Sequence, residues 1–384
     1  MEKLAATRDE RPASPAVHVA QPAPITSEVI EASFALQGGL PSVEKKYRPE
    51  VLEAAHQARR ELTLGEVILQ AAIANGYDGP KRLNASTLRP VLQAAWATHS
   101  IAGILSATVN KFLLAGFDSV ESAWRQISVS RSVNDFKALT SYRLNGGFKF
   151  EKVANGGELK NAAASDEQRT IAAETYGIMT SVTRTDLIND DLSALTAVPQ
   201  RIGRGGALKL NDVFWTEFQA GHADWYTSGR GNLVGSAGAL NLTNLKKLVT
   251  AFRKLKDPDG NPVAVNPTIL LVPADLELDA AEIMGSTLVQ ATGSTDARVA
   301  ERNVLAGRYQ VVGTTYLSSA DDYYLMASPS DLAAMEVAFL NGVQSPVVET
   351  AEADFNVLGV QMRGYFDFGV AKAEYLASVK GDKA

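Results

Sequence analysis

The longest continuous pattern in the chain lies over residues 174–219. Tyr176, Ile178 and Val182 alternate with smaller or polar residues, which predicts a half-buried strand. Leu192, Leu195, Val198, Ile202, Leu208, Val213, Phe214 and Phe218 then recur mostly at spacings of three, four or multiples near them, which predicts a helix. Over residues 192–219 such a helix is about 40 Å long, enough to serve as a spine for other elements. Pro199 lacks a backbone donor and clashes with the preceding turn, so a kink or break is expected there, with the main rod beginning at that point.

Upstream, residues 1–24 are rich in Ala, Pro and charge without periodicity, the signature of a flexible tail. Residues 27–99 read as helical. Thr63 and Glu66 form a capping box, Gly76 is a stop, and a second helix is expected over 88–96. Another amphipathic helix over 101–117 carries Ile104, Leu105, Val109, Phe112 and Leu113, with Gly116 placed to end it, and a short helix bears Trp124. Phe136, Ala138, Thr140, Tyr142 and Leu144 alternate with polar residues as a strand. Gly146, Gly147, Asn155, Gly156, Gly157 and the polar run 161–169 read as the tip of one long hairpin over 131–184, with the Tyr176 strand as its return.

Downstream of the spine, Leu242, Leu245, Leu248, Val249, Phe252 and Leu255 form one helical face with Thr243 as a plausible N-cap, and the DPDGNP run at 257–262 turns the chain. Strands are expected over 268–272, 309–313, 323–326 and 334–340, and a helix from Pro273 through Met284. Leu358, Val360, Met362, Phe366, Phe368 and Val370 alternate as a long strand returning beside the spine, and the last dozen residues read as a loose end.

A chain of 384 residues that is 46% hydrophobic can bury a large core and is not disordered, and the alternation of helices and short strands over 240–340 suits a compact α+β domain. The net charge of −6 lacks the basic excess of a dedicated nucleic-acid reader, so any DNA contact should be weak and local. The absence of cysteine removes disulfides and thiolate metal sites. No signal-peptide pattern and no long apolar run occur, which points to a soluble, non-secreted protein without membrane contact.

Three strings go further: INDDLSALTAVPQRIGRGGALKLNDVFWTEF, NKFLLAGFDSVESAWRQISVSRSVNDFKALTSYRL and VAFLNGVQSPVVETAEADFNVLGVQMRGYFDFGVA. In this order they resemble the major capsid proteins of Mu-like tailed bacteriophages and prophages, over about residues 100–372. The resemblance implies the Hong Kong 97-type capsid fold, with an N-terminal arm, a β-hairpin called the E-loop, a peripheral domain built on a spine helix, and an axial domain. On that plan 1–100 is a tail and helical arm or linker, 101–130 peripheral helices, 131–184 the E-loop and 185–225 the spine. The axial domain takes 226–343, and 344–384 holds the returning strands and a C-terminal tail. The implied function is structural: hexamers and pentamers closing into an icosahedral virion shell around double-stranded DNA, assembled in the host cytoplasm, with portal, scaffold and maturation protease as partners. Candidate intersubunit contacts are Gly146, Gly147, Lys149, Lys152, Gly156, Gly157 and Lys160 on the hairpin and Arg201 and Arg204 on the spine. An encapsulin-like compartment is the alternative, and an enzyme with a protease remnant in residues 1–100 a remote one.

Catalytic chemistry finds little support. His18, His56, His99 and His222 show no paired-ligand spacing, so no metal or cofactor is expected. The GRGGALK run from Gly203 to Lys209 matches neither phosphate-loop pattern, and its small residues are better explained by close approach of another element to the spine. Asp257 opens a calcium-like run whose twelfth position is Thr268 where Glu is needed, so a turn is the natural account. Asp190 and Asp191 suit a helix start. No serine-nucleophile motif appears, and Lys45-Lys46, Arg201/Arg204 and 253–256 are short basic clusters that packaged DNA could meet without sequence readout.

Overall fold

A computed structural model describes residues 26–58 (except 42), scattered positions between 69 and 94, and residues 99–146, 164–183, 192–235, 238–290 (except 259), 300–352 and 359–382. The organising element is a 28-residue helix, Leu192–Gln219 (α6), which runs through Pro199 without a break. Pro199 is buried. The missing hydrogen bond costs about 3 kcal/mol in an exposed helix, and here packing on both sides of the rod offsets it. On one side lies the helix His99–Asp118 (α4). The two backbones touch at reciprocal glycines: a Cβ on Gly203 would stand 2.0 Å from the Leu113 carbonyl oxygen, and one on Gly116 2.0 Å from that of Gln200. Gly116 therefore lies within α4 as a contact point rather than as its stop.

On the other side of α6 lies a sheet centred on β13 (Gly359–Lys372). One edge of β13 pairs with β4 (Glu174–Thr183). The other pairs successively with β12 (Val347–Glu352) and β11 (Met335–Leu340), which are collinear and separated by the loop 341–346. Parallel β1 (Ser128–Val133) completes it beyond β11. Alternate residues Met362, Gly364, Phe366 and Phe368 face the spine, as the period of two requires. At Gly364 the helix comes so near that a Cβ would stand 2.3 Å from Cγ2 of Ile202.

The second sheet has the order β5-β14-β10-β6-β9, with strands Leu233–Val234, Ser378–Gly381, Tyr323–Ala327, Pro267–Pro273 and Gln310–Thr314 respectively. All run the same way except β10. Its two faces feed two cores. Ile269, Leu271, Tyr324 and Met326 join the spine residues Leu210, Phe214, Trp215 and Phe218, while Leu270, Val272, Tyr323 and Leu325 pack under helices Leu242–Arg253 (α8) and Ala274–Gly285 (α9). This alternation is why β6 and β10 read as continuous apolar runs: both faces are covered.

Several expectations are corrected. The hairpin strand β2 (Leu139–Gly146) pairs with β3 (Ala164–Ile171), not with the Tyr176 strand, which belongs to the β13 sheet. Residues 164–169 of the polar run read as the tip belong to the returning strand, because a two-stranded ribbon without a third strand or covering sheet needs no apolar alternation. The strand at 335–340 joins β1 and β13 rather than the α8/α9 unit. The expected loose end contains β14, hydrogen-bonded between β10 and β5, with Leu376 and Val379 buried. Four residues are too few to show a period. Asn241, not Thr243, caps α8, accepting from Asn244 N at 2.8 Å. In the arm, helices Ser27–Gln37 (α1) and Pro49–Ala58 (α3) are present, and Lys111 of α4 ties them down through Glu31 at 2.6 Å and Tyr47 at 2.8 Å. The capping box at Thr63 and most of the 88–96 helix lie outside the described residues.

Candidate assembly surfaces

The hairpin base is anchored firmly. Ile171 and Ala173 pack with Val133 and Ala338, and a Cβ on Gly369 would stand 1.9 Å from the Ala172 carbonyl oxygen. Arg169 of β3 reaches Glu374 at 2.9 Å, and the Glu374 side chain is only 9% exposed. Glu374 also receives the N–H of Leu376 at 3.4 Å, so it joins the hairpin to the segment entering β14. From this base the β2/β3 ladder runs out to the pair Gly146–Ala164, with no third strand beside it among the described residues. Of the hairpin candidates, Gly146 closes β2; Gly147, Lys149, Lys152, Gly156, Gly157 and Lys160 lie outside the described residues.

Arg201 and Arg204 are exposed on the spine, and flank Gly203, which turns inward to α4. The helical repeat sorts the glycines: Gly203 meets α4, Gly206 meets Pro346, and Gly205 faces open space. Beside Gly205 and Gly206 runs a groove of about 450 Å³ between the spine and the β4–β13 ladder. Tyr176, Ile178, Ile202, Gly364 and Phe366 line it, and Lys209 holds its Nζ 5.5 Å from the Tyr176 ring centroid. Burial and the bond to Glu174 push the Tyr176 hydroxyl up to about 12. Ile178 and Met179, 61% and 68% exposed, stand on β4, whose outer edge has no partner strand among the described residues. The spine–β13 region thus presents apolar surface and an open ladder edge together, a combination that invites pairing.

Chemistry of other kinds is weakly represented. Among the described residues no three His, Asp or Glu side chains gather as a metal set, and no helix is long and apolar enough to cross a membrane. Asp257 caps its own turn, accepting from Asn261 N at 2.7 Å and Nδ2 at 3.3 Å. His222 is boxed by Phe218, Tyr226 and Tyr324. Burial, followed by the charges of Lys372 and Lys380, lowers its pKa to about 4, so the ring is neutral. The Arg169–Glu374 link has no signal in sequence spacing, since its partners lie far apart along the chain; in the His222 box Phe218 and Tyr226 stand four residues to either side, and only Tyr324 is distant.

No curated protein matches the sequence significantly. Solved structures with related shapes include the capsid of cyanophage P-SCSP1u (12% identity, TM-score 0.46, 67% of this chain and 86% of that one). They also include the capsid of the Myoviridae phage XM1 (13%, 0.43, 67% and 90%) and a virus-like particle from Pyrococcus furiosus (12%, 0.42, 71% and 98%). The family of phage capsid proteins matches residues 166–381. That span holds most of β3, all of β4, the whole spine and both sheets apart from β1, more than half of the chain, and so the chain belongs to the phage capsid protein family.

Proposed function

We propose that this subunit is the major capsid protein of a Mu-like phage or prophage, and that its hairpin tip is the element that closes the shell. The observation that carries the second part is the pairing of a lone two-stranded ribbon with an uncovered apolar groove on the same chain. Two strands alone are marginally stable in water, and β4 with its exposed Ile178 and Met179 offers an edge and a surface of the kind such a ribbon lacks. Laying the tip, residues 147–163, across the groove of a neighbouring copy meets both needs. Arg201 and Arg204 stand exposed on the same helix and serve as further polar contacts for a neighbouring copy. The Mu-like assignment rests on the three strings over 100–372. It brings with it hexamers and pentamers, packaged double-stranded DNA held without sequence readout, assembly in the host cytoplasm, and a portal, scaffold and maturation protease.

The register of the ladder defines the test. Replacing residues 147–163 by a two-residue turn joins Gly146 to Ala164 and keeps every described β2/β3 pair. The expected product is a folded, cooperatively melting subunit that electron microscopy and light scattering show unable to close into shells. Normal shells of unchanged thermal stability refute the role of the tip. An unaltered protein that stays monomeric across concentration, salt and crowding refutes the capsid reading itself.

A further inference from the structure

We infer that a second, electrostatic contact joins neighbouring copies head to tail: the exposed face of α9 on one subunit seats in a basic cleft at the opposite corner of the second sheet on the next. The inference rests on the capsid reading and identifies the contact residues within it.

The cleft, of about 430 Å³, gathers three distant segments, 228–231, 254–258 with Gly260, and Tyr375. Arg230 is preset. Its guanidinium lies 4.7 Å from the Tyr375 ring centroid, and Nη1 donates to the carbonyls of Asp224 at 2.9 Å and Trp225 at 3.2 Å. Its Nε and Nη2 have no partner among the described residues, and neither do the ammonium groups of the exposed Lys254 and Lys256. The carboxylate of Asp257 is turned into its own loop by Asn261 and keeps its charge, so three cations face one carboxylate among the described lining residues. Leu255, Pro258 and Tyr375 supply apolar lining between these cations, and Gly229 and Gly260 leave the mouth open.

The complementary surface is on α9. Leu278 is 82% exposed, the most exposed large apolar side chain described, and Asp275, Asp279 and Glu282 surround it at helical spacing, all exposed and without described partners. Ala280 and Met284 face the other way, into the core. Arg302 and Arg308 belong to the far end of the helix, where Gly307 N bonds the Met284 carbonyl at 2.9 Å.

Topology sets the two surfaces apart. Residues 228–231, 254–258 with Gly260, and 375 precede β5, β6 and β14, so the cleft sits at the starting ends of the parallel strands, toward the β5 edge. The acidic half of α9 follows β6 and packs over β9, where Glu277 lies across Gly313, at the finishing ends and the other edge. Opposite charges at opposite corners cannot meet within one subunit. Between copies related by rotation they meet once per neighbour, the heterologous geometry that closes rings. A nucleic-acid phosphate would satisfy the cations and leave the apolar lining without use, whereas Leu278 flanked by carboxylates satisfies both.

The test is a charge swap. Lys254→Glu/Lys256→Glu and Asp275→Lys/Asp279→Lys each place like charges at every contact and are expected to raise the critical concentration for capsomers by tenfold or more. The quadruple variant restores complementarity and is expected to return it to within about threefold of the starting protein. Leu278→Ser, which leaves the charges alone, is expected to weaken assembly by about tenfold. Unchanged melting of the dissociated subunits checks folding, and all sites are exposed. Normal assembly of either double variant, or a folded quadruple variant that stays dissociated, overturns the inference. Normal shells from Lys254→Glu/Lys256→Glu that retain less DNA overturn it in favour of a phosphate site. Failure of the unaltered protein to assemble counts against the capsid reading instead.

Discussion

Gly203→Ala and Gly205→Ala lie two residues apart on the same helix, yet the structure assigns them opposite signs. In the helix interior, alanine is favoured over glycine by about 0.8–1.0 kcal/mol. At Gly205 a methyl group meets nothing within 4 Å, so that gain is kept, and a stabilisation of about 0.5–1 kcal/mol is expected. At Gly203 the methyl stands 2.0 Å from the Leu113 carbonyl oxygen and 3.0 Å from Phe117 N, both backbone atoms of α4. Rotamer change cannot relieve that contact. Either α4 retreats by about 1 Å or more, loosening the fully buried Phe112 and Leu113, or the spine bends, and overpacking of this kind typically costs 1–3 kcal/mol and occasionally more. With the propensity gain subtracted, a net destabilisation of up to about 2 kcal/mol is expected. Gly116→Ala should behave alike against Gln200, and the double variant should cost less than the two singles together, since the first methyl already parts the helices. Urea unfolding of dissociated subunits, followed by the fluorescence of buried Trp124 and Trp215, measures all four. A Gly203→Ala subunit as stable as the parent, or a Gly205→Ala subunit weakened as much as Gly203→Ala, would falsify the crossing.

Two further outcomes follow from buried polar groups. His222 is neutral in the folded subunit with a pKa of about 4, against 6.5 when unfolded, so the unfolded chain binds more protons between those values. Stability should fall as pH drops through that window and level off below it; with the ring partly open to solvent, about 1–2 kcal/mol is expected, and melting scans of His222→Phe should show a flatter profile. Arg169→Ala takes away the charged partner of Glu374 and leaves its carboxylate the Leu376 N–H, so a loss of about 1–3 kcal/mol is expected together with faster proteolytic cutting within 139–171; equal cutting rates in the two proteins would show that the pair does not hold the hairpin base.

The spine and the long strand were legible because each repeats one period over many residues: 28 for α6 and 14 for β13, enough for the apolar face to stand out. The glycine cluster in the spine was legible as a site of close approach. Which glycine meets what depends on helical phase, and only the packed neighbours fix that phase. Legibility failed where an element's stability comes from partners rather than from its own burial. β3 is polar over most of its length, so it shows no apolar alternation, and β14 is four residues held by ladders on both sides. Pro199 misled for the same reason, since a rule about an isolated helix was overridden by two packed faces. Assembly surfaces are the extreme case. Leu278 breaks no pattern in sequence, and Arg230, Lys254 and Tyr375 are scattered over 146 positions, so nothing in their spacing groups them. A surface completed by another copy is under no demand to be self-consistent within its own chain. Its residues therefore look like ordinary surface until the fold sets Leu278 in the open and gathers the cations elsewhere.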